Sequence, residues 1–99
     1  MLSLPKIIKK RGFTYNLVTR QGDVALYEQM LEDTLVGYEV ILVQKNTQER
    51  ILGGVIYPPS EYYPSDNSWG VKGFSFYTLP KAQAKFKEIV ENRPTVTKI

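Results

Sequence analysis

Apolar and polar positions alternate through most of this 99-residue chain and change to a helical period near its end. From Gly12 onward, FTYNLVT sets Phe13, Tyr15 and Leu17 on one face against Thr14, Asn16 and Val18 on the other, the period of a half-buried strand. Arg20-Gln21-Gly22-Asp23 reads as a turn, and Val24 to Met30 resumes the strand pattern. These two segments predict an antiparallel hairpin whose tip carries Gly22 in a conformation other residues resist. After the polar break Glu32-Asp33, Gly37 opens YEVILVQ, in which Tyr38, Val40 and Leu42 oppose Glu39, Ile41 and Val43. Both faces are largely apolar, which predicts an interior strand. Lys45 to Arg50 follows as a polar turn, and Ile51 to Tyr57 is expected as a fourth strand, bulged or bent at Gly53-Gly54 and ended by Pro58-Pro59. A helix over Asp23 to Asp33 competes locally, since Leu26, Met30 and Leu31 are good helix formers. It ranks second because the β-branched and aromatic flanks favour a hairpin.

Between Ser68 and Asn92 the period changes. Phe74 to Tyr77 reads as a last short strand, Thr78 can cap a helix beginning at Leu79, and Pro80 in its first turn loses no needed donor. Leu79, Ala82, Phe86, Ile89 and Val90 recur at helical spacing. Burying the larger ones contributes about 1.5–3 kcal/mol each, and the alternating strands are the matching surface. The expected fold is therefore α+β: an antiparallel sheet of four to five strands with one C-terminal amphipathic helix packed on one face. Residues 1–11 are expected as a basic arm, 12–93 as a single domain and 94–99 as a flexible tail.

Composition narrows the chemistry. A chain this long makes one domain that buries roughly 60–70% of its unfolded surface. It has no cysteine, so neither disulfides nor a thiolate metal site can support it, and a reducing cytoplasm is the simplest setting. The N-terminal MLSLPKIIKKRG lacks the apolar core of a signal peptide, and no apolar run reaches the roughly 18 residues that span a bilayer. A soluble protein with no membrane partner is expected. There is also no histidine, which removes the commonest acid–base group and metal ligand. Glu61 with Asp66 is the one carboxylate pair worth weighing for glycoside chemistry or a hard cation. Their turn-rich surroundings favour a local backbone role for Asp66. Gly53-Gly54 lacks the spacing of a phosphate loop. A non-enzyme without cofactor or metal is the expectation.

Charge and aromatic placement supply two binding readings. Net charge is only +3, but Lys6, Lys9, Lys10 and Arg11 fall within six residues. This cluster reads first as a solvated, frayed arm and second as a contact with nucleic-acid phosphates. Lys81, Lys85 and Lys87 load the start of the helix, where Lys85 can pair with Glu88 and Lys87 with Glu91 on a solvent face. The segment YPPSEYYPSDNSWG, from Tyr57 to Gly70, combines three prolines with Tyr57, Tyr62, Tyr63 and Trp69. Its backbone is expected to run over the surface without regular structure, while its rings either fold back as a lid on the sheet or stay exposed as a recognition surface. The lid ranks first because long ordered loops pack their own side chains, and Trp69 in particular reads as structural.

The order Gly37-Tyr38-Glu39-Val40-Ile41, Tyr63-Pro64-Ser65-Asp66 with Trp69-Gly70, and Gly73-Phe74-Ser75-Phe76 leading into a helix with Ala82 and Phe86 resembles small uncharacterised proteins of bacteriophages and prophages. The likeness spans roughly residues 13 to 90; Phe76 departs from it, where a Tyr or Thr would be expected. It implies a phage context, hence a host cytoplasm, and no catalytic site. The first functional expectation is thus a small interaction module that binds a host or phage protein through Tyr57, Tyr62, Tyr63 and Trp69. The alternative is a single-stranded nucleic-acid binder in which Lys6, Lys9, Lys10 and Arg11 neutralise phosphates and loop rings stack on bases.

Overall fold

The structure, a computed structural model, describes residues 1–92. The tail expected at 94–99 lies outside the described residues. Strands β1 (Ile7–Lys10), β2 (Phe13–Gln21), β3 (Val24–Leu31), β4 (Thr34–Leu42) and β9 (Gly73–Phe76) form one antiparallel sheet in the order β1-β2-β3-β4-β9. Between β4 and β9 the chain leaves the sheet and makes four short strands: β5 (Gln44–Asn46), β6 (Arg50–Leu52), β7 (Val55–Tyr57) and β8 (Ser60–Tyr62). A 3₁₀ turn at Asp66–Ser68 precedes β9, and helix α1 (Leu79–Asn92) follows it. The α+β architecture expected from the patterning is the one observed.

The interior strands explain the hydrophobic runs. Val24, Ala25, Leu26 and Tyr27 are all buried, because both faces of β3 are covered; the same holds for Val40 and Ile41 of β4. Such a doubly covered stretch reads as a continuous apolar run rather than an alternating one, and the strand, not the competing helix over Asp23 to Asp33, is the element observed. On one face, Val24, Leu26 and Val40 pack with Ala82 of α1, and Tyr38, Leu42, Phe76, Leu79, Phe86, Ile89 and Val90 surround them. Thr78 immediately precedes the helix, and its carbonyl accepts from the Ala82 N–H at 3.2 Å. Lys85 Nζ reaches Glu88 at 3.2 Å and Lys87 Nζ reaches Glu91 at 3.9 Å, the pairs that the spacing predicts. Among the described residues no helix is long and apolar enough to cross a membrane.

Three segments depart from expectation. The N-terminal arm is not frayed: β1 pairs along β2, with Ile8 opposite Tyr15 and Lys10 opposite Phe13, and Leu2 bridges to Ser60. Its lysines hid an edge strand whose inward positions are Ile8 and Lys10. Secondly, Ile51 to Tyr57 is no fourth strand of the main sheet. Gly53 and Gly54 have φ of +58° and +80°, the pair of positive values that a two-residue hairpin turn demands, so β6 folds back on β7. Thirdly, the aromatic segment is not wholly irregular, since Ser60–Tyr62 pairs with β5. These excursions broaden the molecule: its radius of gyration is 14.8 Å, against about 13 Å for a compact domain of this length.

Candidate functional site

The face of the sheet opposite α1 is covered by side chains of the aromatic segment. Tyr15, Ala25, Tyr27, Ile41 and Val43 form its buried centre, and Leu4, Ile8, Phe13, Leu17, Tyr63 and Trp69 pack against them. The Tyr63 ring lies 5.6 Å from Tyr15, 5.5 Å from Tyr27 and 6.3 Å from Trp69, with which it stacks. Trp69 is seated closely: its indole N–H donates to Ser75 Oγ at 2.9 Å, and a side chain at Gly73 would collide with its six-membered ring. Tyr63 and Trp69 therefore belong to a lid. Tyr57 and Tyr62 do not; they are 45% and 48% exposed.

Beneath the lid sits Glu39, the one buried charged residue in the described chain, 7% exposed. The Tyr63 hydroxyl donates to its Oε1 at 2.5 Å. Burial pushes the Glu39 carboxyl above its ordinary pKa, opposed by this hydrogen bond, by the Lys10 charge and by Ser75, while Asp66 adds to the rise. The Tyr63 hydroxyl is raised too, first by burial and then by the adjacent carboxylate. Lys10 Nζ lies 3.9 Å from the centroid of the Tyr63 ring and 5.3 Å from that of Tyr15. Beside these groups opens a cleft of about 370 Å³, lined by Lys10, Phe13, Tyr15, Gln29, Glu39 and Trp69, with Arg11 and Asp66 also on its wall.

The two carboxylates weighed from sequence go separate ways. Glu61 accepts two bonds from the Arg20 guanidinium, at 2.7 and 2.8 Å, and one from the Leu4 N–H at 3.0 Å. These donors hold its carboxyl well below the usual range, at about 2. Asp66 pairs with Arg11, so its side chain serves an ion pair rather than the local backbone. Among the described residues no cluster of three or more acidic groups is placed to hold a metal ion.

The basic cluster is divided as well. Lys6 and Lys9 are exposed, Lys10 sits on the rings and Arg11 is paired with Asp66. The helix lysines lie with α1 over β3, β4 and β9, whereas β1 is the opposite edge of the sheet. The two basic segments thus do not merge into one strip.

Among the described residues, one run of exposed apolar side chains was named from sequence only at Tyr57. Around the β6–β7 turn, Ile51, Leu52, Val55, Ile56 and Tyr57 are 66%, 56%, 51%, 59% and 45% exposed. A signal was present: an apolar run interrupted by Gly-Gly, which closes on itself when no third strand is available. Glu39 was missed also, although a lone charge inside YEVILV was its mark. No known protein family, curated protein or solved structure matches this chain.

Proposed function

We propose that this chain is a small non-enzymatic interaction module, of the phage type its patterning resembles, which binds a host or phage protein partner with the β5–β8 arm. The observation that carries this reading is the exposure of five large apolar side chains on the β6–β7 hairpin, with Tyr62 close by in sequence on β8. A two-stranded hairpin is marginally stable alone, and this one exposes apolar side chains on both faces, the pair Ile51 and Ile56 on one and Leu52 and Val55 on the other. Neither β6 nor β7 has a second neighbouring strand, so each keeps an edge on which a partner's extended segment can pair. Tyr57 and Tyr62 add large rings with polar tips and few rotamers to freeze, the properties of interface anchors.

Site-specific photocrosslinking tests this. A photoreactive residue at Ile56 is expected to give a discrete adduct in the host that expresses the protein, lost when Tyr57 and Tyr62 are both changed to alanine. The same probe at Glu88 on α1 is the control. Equal labelling from both positions, or none from Ile56, would refute the arm as the contact surface.

A further inference from the structure

The lid cleft holds a cation already, and the way it is held points to a site. Lys10 Nζ stands over Tyr63 and is shared with Tyr15, both of whose ring faces carry the negative lobe of the aromatic quadrupole. The buried Glu39, bonded to the Tyr63 hydroxyl and on the cleft wall, supplies the opposite charge, and Trp69 and Phe13 continue the aromatic wall. Arg11, the neighbouring cation, is drawn aside by Asp66 and does not compete. We propose that this cleft is a binding site for an organic cation, an alkyl- or methylammonium group, and that Lys10 occupies it in the free protein as an internal competitor.

The geometry supports the exchange. The cleft of about 370 Å³ extends beyond Lys10, which leaves room for a substituted ammonium. Lys10 is on the edge strand and carries its charge on a flexible four-carbon stem, so its head can leave while the backbone pairing with Phe13 stays. A methylated ammonium is less strongly hydrated than a primary one and gives up less on entering an aromatic site. Burial lowers the Lys10 pKa, so its own seat is not free of cost. This inference does not depend on the arm reading, because arm and cleft share no residue.

Trp69 is the only tryptophan and lines the cleft, so its fluorescence reports occupancy. Wild type, Lys10→Met and Glu39→Gln would be titrated with tetramethylammonium chloride against sodium chloride at equal ionic strength, and with tert-butanol as the uncharged counterpart. A saturable change specific to tetramethylammonium is expected, tighter by about tenfold or more in Lys10→Met, since removing a competitor restores the competent fraction. Glu39→Gln is expected to weaken it. In wild type the acetylation rate of Lys10, read by mass spectrometry, should rise as tetramethylammonium displaces it. An unchanged acetylation rate with no saturable response in Lys10→Met, or an equal response to tert-butanol, would overturn the proposal.

Discussion

Adjacent tyrosines with the same chemistry have opposite fates. Tyr63 packs among Tyr15, Tyr27 and Trp69 and bonds Glu39, whereas Tyr62 points to solvent. Tyr63→Ala should therefore cost about 3 kcal/mol or more, a large-to-small change with the Glu39 donor also lost, and Tyr62→Ala well under 1. Chemical denaturation of the two variants checks this, and equal losses would contradict the lid. The two unusual glutamates make opposite demands on pH. Glu61, at about 2 in the fold, lies below its unfolded value of roughly 4.3, so it stabilises fully above that value and loses the contribution as pH falls from about 5 toward 2. Glu39 is raised, so its ionised form costs stability above the unfolded value, and proton uptake on acidification relieves that cost. Thermal midpoints measured across pH should then show a shallower acid limb in Glu61→Gln. Glu39→Gln should melt higher than wild type at neutral pH, since the amide oxygen still accepts from Tyr63 and no buried charge remains.

Elements were legible where their own periodicity decided them. Leu79, Ala82, Phe86, Ile89 and Val90 named both the helix and its buried face, and α1 presents that face to the sheet. Phe86→Ala is expected to cost about 3 kcal/mol, at the low end for an aromatic because the ring is only partly buried, while Lys85→Ala should cost under about 1 kcal/mol despite its contact with the Phe74 ring. Urea unfolding of both would reveal a loosely docked helix as two small, similar losses. Legibility failed where a partner decides. Ile7 to Lys10 becomes a strand because β2 offers an edge, and the charged head of Lys10 finds its place over aromatic rings. Gly53-Gly54 is compatible with a bulge or a tight turn, and only the lack of a neighbouring strand selects the turn. Likewise, the meeting of Lys10, Tyr15, Glu39 and Tyr63 joins β1, β2, β4 and the lid segment, a juxtaposition that no local pattern encodes.

At the scale of the whole molecule, one sheet carries a helix on one face and an aromatic lid on the other, and the β6–β7 hairpin, between β4 and the lid residues, pairs with no strand of that sheet. The sheet's two faces hold the buried apolar side chains and with them the stability, whereas those of the β6–β7 hairpin are exposed, as the proposed contact surface requires. Thermal unfolding of a variant with Ile51→Ser, Leu52→Ser, Val55→Thr and Ile56→Thr tests this division most directly. The midpoint is expected to stay within about 4 °C of wild type, equivalent to less than about 1 kcal/mol for a domain of this size. A fall of 10 °C or more (roughly 2 kcal/mol,) would show that these side chains hold the fold together, and would contradict their assignment to a partner.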